Sequence, residues 1–354
     1  MAYTAGTVTR VWITKTTRDG DTNARIGIAE RITRDFAEIE VPTEFCTLVE
    51  AKQRLVTAGL ISADQPQWPE VIIGPCFHIP YMQLIKVLSE GKTVVVALRP
   101  PVRGLPIKAS KEDVANTDII VSYPYHDNAG LPNLLLCDTV PNRISAAMLL
   151  QQKSLWGGYF QDIAQHRPLV GLLVGGDIGD KRKVFTIDAA QTLASHVSRL
   201  VKELGGALFI TTSARTSAEL QRTLCTSLSV PFEFYDPKIA QSANPYLGLL
   251  ACADVLVVTA DSMSMCSEAV SSHKPVYVFY EPAIVEDKHA LVAEQLLSSG
   301  SLQILDNHTR ADKFAAKYGS HAQQNSSDVI AHAVKSKLAE KAQNTQSANL
   351  MAAI

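Results

Sequence analysis

Polar residues that could bind an anion follow the apolar run Val255–Thr259. The segment Ala260-Asp261-Ser262-Met263-Ser264-Met265-Cys266-Ser267-Glu268 is predicted to open a helix there, and the free amides and dipole of a helix start favour negative charge. Ser264 and Glu268 are four residues apart and therefore share a helix face. A phosphate at the helix start, with Glu268 accepting both hydroxyls of a ribose, would suit a nucleotide. A capped helix with an exposed glutamate explains the same residues equally well.

Two other polar segments follow predicted strands. Gly175-Gly176 could bring backbone amides against a phosphate, with the basic run Lys181–Lys183 adding charge. A tight turn with a solvated basic tip is the alternative. After the next strand, Ser213 and Arg215 could form an anion site, or the hydroxyl groups there could simply cap the following helix.

The first half of the chain offers candidates for proton transfer. His126-Asp127 could supply a general base, because the pKa of imidazole is nearest neutrality, and Asp19 and Asp21 are competing carboxylates. A polar surface loop is the alternative for His126. The sequence contains no Walker loop, Gly-x-Ser-x-Gly or His-Glu-x-x-His motif and no three-ligand metal cluster, so neither a metal site nor hydrolase chemistry is expected.

The candidate residues are positioned by elements that the sequence predicts from a repeated pattern of short apolar runs, turns and helical stretches. Continuous apolar runs such as Val94–Leu98 are typical of strands buried on both faces of a parallel sheet, and the alternation with helices predicts an α/β fold. Eleven strands are predicted, at Arg10–Lys15, Ala37–Val41, Glu70–Ile73, Thr93–Leu98, Asp118–Val121, Asn133–Leu136, Leu169–Val174, Ala207–Thr211, Phe232–Tyr235, Val255–Thr259 and Pro275–Phe279. So many strands favour two sheets over one.

The regular alternation of predicted strands and helices is interrupted at 151–167, where we predict a linker. The predicted domains are therefore an N-terminal domain at 1–155, a C-terminal domain at 168–310 and a helical tail at 311–354 that packs back on the first domain. The tail contains a capped amphipathic helix near 326–340.

Composition excludes several classes of protein. The net charge is −2, so no basic excess favours nucleic acid or an anionic membrane as a partner. The six scattered cysteines lack Cys-x-x-Cys spacing and indicate free thiols in a reducing compartment. With no apolar run of the ~20 residues that a bilayer requires and no segment of signal-peptide type, we expect a cytoplasmic protein without a transmembrane segment.

The chain resembles the mitochondrial-fission "elongated mitochondria" family, whose bacterial members are described as glycosyltransferases or nucleoside-diphosphate-sugar enzymes. The Asp-Ser-x-Ser-Met-x-Ser-Glu-Ala element is the most specific part of this resemblance. The residues that carry it are Arg99–Arg103, Pro124-Tyr125-His126-Asp127, Gly175-Gly176, Thr212–Thr216, Asn244-Pro245-Tyr246, Thr259–Ala269 and Lys274–Val278. Ala214 and Ser217 depart from the family pattern, which usually has an arginine and a proline at these positions.

The resemblance implies a GT-B-like fold of two facing Rossmann-like domains with parallel sheets, the first on the acceptor side and the second binding a nucleotide sugar. Within it, Glu268 would hold the ribose and the helix start at Ser262–Ser267 the diphosphate. The full set of implied nucleotide-sugar ligands is Gly175, Gly176, Ser213, Arg215, Asp261, Ser262, Ser264, Met265, Ser267 and Glu268.

The resemblance implies transfer of a sugar from a nucleotide-sugar donor to a glycan or lipid acceptor. No cofactor is implied, and peripheral contact of the protein with a membrane is compatible with this activity. A non-catalytic fission-type adaptor is the alternative, and a nucleoside-diphosphate-sugar epimerase is a further one. We expect loss of Glu268 to cost about ten- to hundredfold in donor affinity. We also expect the melting temperature of the unliganded protein to stay almost unchanged.

Overall fold

The structure is a computed structural model of the 354-residue chain. It describes residues 9–16, 19–42, 44, 46–98, 110–123, 133–178, 183–239, 242–310 and 325–352. The chain divides into two compact units. Unit 1 contains 1–137, 141–143 and 325–354, and unit 2 contains 138–140 and 144–324.

Unit 1 is built on a six-stranded parallel sheet in the order β2-β1-β3-β4-β5-β6. Its buried strands carry the continuous apolar runs that predicted them, and β3 ends in a 3₁₀ turn at Cys76–His78. The elements are β1 (Val11–Thr14), α1 (Asp19–Ile32), β2 (Phe36–Ile39), α2 (Leu48–Thr57), β3 (Val71–Pro75), α3 (Ile79–Leu88), β4 (Val94–Leu98), α4 (Lys111–Ala115), β5 (Ile119–Ser122) and β6 (Leu134–Leu136).

Unit 2 contains a second six-stranded parallel sheet, in the order β12-β11-β10-β7-β8-β9. Its elements are α5 (Ala146–Ala164), β7 (Leu169–Val174), α6 (Ile187–Leu204), β8 (Ala207–Thr212), α7 (Ala218–Ser227), β9 (Phe232–Tyr235), α8 (Tyr246–Cys252), β10 (Val255–Thr259), α9 (Met263–Ser271), β11 (Val276–Phe279), α10 (Asp287–Ser298) and β12 (Gln303–Ile304). The predicted α/β class with Rossmann-like parallel sheets is confirmed. All eleven predicted strands are present, and β12 was missed because two residues are too short for a pattern.

The linker predicted at 151–167 is wrong. Most of this segment lies in α5, whose N-cap Ser145 accepts a hydrogen bond from the Met148 amide. The helix packs along α8 within unit 2. Only Phe160 and Ala164 of α5 are buried, so an apolar stripe is hard to see in its sequence.

The last helix, α11 (Ser326–Ala352), belongs to unit 1 and packs on α1. Ile330 and Val334 are fully buried, and Arg31 Nε of α1 lies 2.9 Å from Asp328 Oδ1. The helix runs well past the predicted end near residue 340. Across the described residues, no helix combines the length and apolar character needed to cross a bilayer.

Each sheet has one point where the strand order reverses, and ligands of such folds bind outside the carboxyl ends of the strands at that point. In unit 1 the reversal lies between β1 and β3, and in unit 2 between β7 and β10. The strand order thus brings the turn after β7 next to the turn after β10, although more than eighty residues separate them.

Candidate functional site

The glycine pair after β7 lies against the residues that follow β10. The Gly175 amide donates to Thr259 Oγ1 at 2.8 Å, and the Gly176 amide donates to Asp261 Oδ2 at 2.8 Å. A Cβ atom on residue 175 would lie 2.0 Å from Asp261 Oδ2, and one on residue 176 would lie 2.3 Å from the Arg215 carbonyl oxygen. Glycine is therefore required at both positions, because atoms of Asp261 and Arg215 lie where a side chain would begin. Because both amides bind protein oxygens, the geometry favours the tight-turn interpretation over a backbone phosphate cradle.

Asp261 and Arg215 form a charge pair at the same turn. Arg215 Nη2 lies 3.1 Å from Asp261 Oδ2, while Nη1 donates to the carbonyl oxygens of Gly176 and Asp177, each at 2.8 Å. The Asp261 side chain is fully buried, whereas that of Arg215 is 38% exposed. Burial raises the pKa of the Asp261 carboxyl, and the Arg215 charge opposes that rise. The pair fixes the guanidinium in place with one side open to solvent.

The turn after β8 presents Arg215. Its backbone amide donates to Ser213 Oγ at 3.2 Å, and the Ser213 amide donates to Thr216 Oγ1 at 2.9 Å. Thr216 Oγ1 in turn donates to the Gly175 carbonyl oxygen. The cap of α7 is Ser217, whose Oγ accepts from the Leu220 amide. Ser213 therefore shapes the turn that holds Arg215, and it does not cap the helix.

Helix α9 begins at the carboxyl end of β10, as predicted. Its N-cap is Ser262, whose Oγ accepts from the Met265 amide at 3.5 Å, and Ser264 and Met265 are partly exposed in its first turn. Ser267 is different, because it is fully buried and its Oγ accepts from the Val140 amide at 2.9 Å. Its predicted role at a diphosphate is corrected to a structural one.

Glu268 is paired with Tyr246, a residue 22 positions away at the start of α8. The Tyr246 hydroxyl donates to Glu268 Oε2. The carboxylate is partly buried, and burial raises its pKa from the ordinary value of 4.5 to about 7, with the Tyr246 hydrogen bond acting in the opposite direction. The exposed-glutamate alternative is therefore wrong. The only sequence signal for this pairing was that Asn244-Pro245-Tyr246 belongs to the family resemblance.

The reversal point of unit 1 also carries polar groups. His78 Nδ1 lies 2.8 Å from Thr14 Oγ1, and the buried Arg25 donates to Thr16 Oγ1 at 2.7 Å. Burial and the Arg25 charge lower the pKa of His78 from 6.5 to about 4, so its ring is neutral at pH 7. The adjacent Phe77 is 60% exposed.

The side chains of the three predicted catalytic residues all lie outside the described part of the structure. His126 and Asp127 lie outside the described residues. Asp19 begins α1, and its side chain lies outside the described part as well. In the part of the chain that the structure describes, no cluster of three or more His, Cys, Asp or Glu side chains is arranged to hold a metal ion.

Comparison with known families places the chain. The family model described as mitochondrial fission ELM1 matches residues 19–338, which is most of the sequence. The chain belongs to the mitochondrial fission ELM1 family. The predicted family is thereby confirmed.

Two curated relatives of this ELM1-family chain share part of its sequence. The uncharacterized protein RP120 of Rickettsia prowazekii is 30% identical over 258 residues, covering 72% of this chain and 67% of the relative. The mitochondrial fission protein ELM1 of Arabidopsis thaliana is 35% identical over 141 residues, covering 39% of this chain and 31% of the relative. The match thus spans less than a third of the Arabidopsis protein.

Solved structures similar to this ELM1-family chain are distant in sequence. MurG from Acinetobacter baumannii is 12% identical with a TM-score of 0.48, over 92% of this chain and 99% of that one. The UDP-GlcNAc 2-epimerase from Methanocaldococcus jannaschii is 12% identical with a TM-score of 0.49, with the same coverage. The family assignment rests on the sequence match, and the fold class rests on the two parallel sheets of the chain itself.

Proposed function

We propose that this chain binds a nucleotide sugar at the reversal point of unit 2 and transfers the sugar to a glycan or lipid acceptor. The observation that carries the proposal is the Glu268 carboxylate, which is partly buried within α9 and held by Tyr246. A desolvated carboxylate whose pKa is raised to about 7 is costly to a protein without a ligand. Carboxyl groups with such perturbed pKa values cluster at functional sites.

The other groups have complementary roles in this proposal. The Ser262 hydroxyl and the Ser264 amide would bind the diphosphate at the helix start, where the dipole favours negative charge. Arg215 would add a positive charge, and Asp261 would hold that guanidinium in place. Glu268 would accept hydrogen bonds from the hydroxyl groups of the ribose. Gly175-Gly176 contributes by letting Asp261 approach closely.

The chemistry of transfer is assigned to the other half of the chain. We propose His126, Asp127 or Asp19 as the base that takes the acceptor proton, with the nucleotide diphosphate as leaving group and no further cofactor. The neutral ring of His78 is a poor base, because a pKa of about 4 is far below neutrality. A lipid acceptor would place a cytoplasmic protein in peripheral contact with a membrane.

Binding without transfer is the second candidate. It is favoured by the Gly175 and Gly176 amides, which donate to Thr259 Oγ1 and Asp261 Oδ2 and so do not form a phosphate cradle. The Arabidopsis relative is named as a mitochondrial fission protein, in keeping with an adaptor role. An adaptor of this kind would bind a nucleotide sugar and leave it unchanged.

A thermal-shift screen against UDP-, GDP-, CMP- and dTDP-sugars tests the binding step. A ligand present at ~100 times its dissociation constant should stabilise the protein by ~2.7 kcal/mol. Calorimetric titration of the best donor into Glu268→Ala should then show about a ten- to hundredfold loss of affinity. The matched control is Glu294→Ala, a change at an exposed glutamate of α10.

The outcomes separate the candidates. Stabilisation by no nucleotide sugar, or equal donor affinity in Glu268→Ala and the parent, would overturn the proposal. Where a donor binds, chromatography of its products distinguishes the reactions. Release of nucleotide that depends on acceptor supports transfer, an epimerised donor supports an epimerase, and an unchanged donor supports an adaptor.

A further inference from the structure

We propose that Tyr246 is a positioning residue that holds Glu268 for the ribose and sets the pH range in which the nucleotide site is competent. The inference rests on the proposed function, because it concerns the same carboxylate. It adds a residue and a proton-dependent property that the proposed function does not require. Its central observation is the hydrogen bond from the Tyr246 hydroxyl to Glu268 Oε2, which joins α8 to α9.

The backbone around Tyr246 is held on both sides. Its amide donates to Asn244 Oδ1 at 3.0 Å, and Pro245 before it is buried. Two residues on, a Cβ atom at Gly248 would lie 2.4 Å from Trp156 Cγ, so α8 is pressed closely against α5. The hydroxyl of Tyr246 is therefore presented to Glu268 by a helix with little freedom to move. A supporting side chain fixed in this way keeps the ligand-binding group that it contacts in a productive geometry.

The direction of the hydrogen bond is settled by chemistry. Burial, followed by the Glu268 charge, raises the pKa of Tyr246 well above its ordinary value, so the hydroxyl remains protonated and donates. One carboxylate oxygen of Glu268 is thereby engaged, which leaves Oε1 and the second lone pair of Oε2 to accept from a ligand. A vicinal diol, as in a ribonucleoside, presents two donors to such a carboxylate.

Few other ionisable groups face this pair. Cys266 on α9 acts on the pKa of Tyr246, and Asp261 acts on that of Cys266. For Glu268 itself the influences are burial, which raises the pKa, and the Tyr246 hydroxyl, which lowers it. Within the described residues no cation contributes to the pKa of Glu268. Tyr246 is therefore the group that opposes protonation of Glu268.

The pH dependence follows with a definite sign. The ionised carboxylate makes charge-assisted hydrogen bonds to hydroxyl groups, and these are stronger than those of the neutral acid. Nucleotide affinity should be full above pH 7 and fall as the pH drops through about 7, the pKa to which burial raises Glu268. Replacing Tyr246 by phenylalanine removes the donor and raises the pKa of Glu268 further, so affinity should begin to fall at a higher pH.

The experiment titrates UDP-N-acetylglucosamine into the protein by calorimetry at pH 6, 7, 8 and 9. The pyrophosphate of this probe carries no group that ionises in that range. For Tyr246→Phe we expect the midpoint of the affinity profile to move up by about one pH unit, with about fivefold weaker binding at pH 7. At pH 9 the Glu268 carboxyl is ionised in both proteins, so the loss of affinity should shrink to the part that the positioning contributes. Tyr235→Phe is the matched control, because that hydroxyl donates to the Ser242 carbonyl oxygen and not to a carboxylate.

A second readout does not depend on nucleotide. The pKa of Glu268 is measured by carbon NMR on the unliganded protein with labelled glutamate carboxyl groups, and the signal is assigned with Glu268→Gln. We expect a higher pKa in Tyr246→Phe than in the parent, and the parent value in Tyr235→Phe. An unchanged pKa in Tyr246→Phe overturns the inference while leaving the proposed function standing. If the pKa of Glu268 is raised in Tyr246→Phe but no variant binds the nucleotide, the proposed function is overturned. The proposed control of binding by pH is then overturned with it.

Discussion

At the scale of single residues, chemical type alone misassigns neighbours within one motif. Ser267 and Glu268 are adjacent in the family element, yet the first binds the Val140 amide in the interior while the second holds a desolvated carboxylate. Their side chains leave α9 about 100° apart, which is enough to separate core from site. Burying the Glu268 carboxylate therefore lowers the stability of the folded protein, and such destabilising residues are typical of functional sites.

The stability of the unliganded protein should reveal this cost through Glu268→Gln. Folding raises the pKa of Glu268 from 4.5 to about 7, so the folded protein holds this proton more tightly. The stabilisation from proton binding is fully present below pH 4.5 and is lost as the pH rises to about 7. At about 1.4 kcal/mol for each pH unit, this window of about 2.5 units gives an upper bound of ~3.5 kcal/mol.

Urea unfolding at pH 5 and pH 8 measures the effect. Relative to the parent, Glu268→Gln should gain stability between the two pH values, whereas the control Glu294→Gln should not. This replaces the expectation that the melting temperature is insensitive to Glu268. A difference between Glu268→Gln and the parent that is the same at both pH values would contradict the burial argument.

At the scale of elements, the site is made by turns that follow parallel strands. The turn after β7 and the start of α9 meet because β7 and β10 are neighbours in the sheet, with Gly175 as the point of closest approach. The glycine pair serves packing between these turns. Its effect on a ligand therefore acts through Asp261 and Arg215.

Substitution of Gly175 by alanine should test this packing. The added Cβ would lie 2.0 Å from Asp261 Oδ2, so the buried carboxylate must move and lose its contact with Arg215. We expect a loss of at least about 1–3 kcal/mol, as for other overpacked sites. Gly158→Ala is the control, because nothing lies within 4 Å of its Cβ position in α5. That change should stabilise the helix by about 0.5–1 kcal/mol. Equal loss of stability in the two variants would refute the close-contact argument.

At the scale of the whole molecule, unit 1 is assembled from separate parts of the chain. The chain leaves unit 1 after Cys137, re-enters it for 141–143 and returns to it at Asn325. Helix α11 then contacts α1, β4 and β5. Ser327 Oγ donates to the Asn142 carbonyl oxygen at 2.8 Å, which ties the returning helix to the crossing segment 141–143. Unit 1 is therefore complete only when the end of the chain has docked.

Ile330→Ala should expose this dependence. Ile330 is fully buried, and truncation of such a side chain costs about 2–5 kcal/mol. Hydrogen exchange should show lost protection in α1, β4 and β5, with β7 of unit 2 retaining its own. Leu296→Ala, at a fully buried position of α10 in unit 2, should give the reverse pattern. The same loss in both units for both variants would show that the units do not open separately.

Much of the fold could be predicted because its determinants are local. Strands buried on both faces must be continuously apolar, which is why strands such as β4 and β10 were visible. The partly exposed β2, β6 and β9 were found from short runs rich in apolar residues. Helix α6 has a clear amphipathic pattern in the sequence, since most of one face is buried. In contrast α5 buries few residues and contains Gly157-Gly158, so its sequence lacked a helical stripe and indicated a linker.

The candidate site divides in the same way. The start of α9 after a buried strand, with Ser262 as its cap, was determined by the sequence alone, because capping depends on residues three positions apart. The Tyr246–Glu268 bond, the Arg215–Asp261 pair and the engaged glycine amides were decided only by the tertiary structure. These contacts join turns that become neighbours through the order of strands in the sheet. Strand order depends on long-range packing, which a local pattern of apolar and polar residues does not specify.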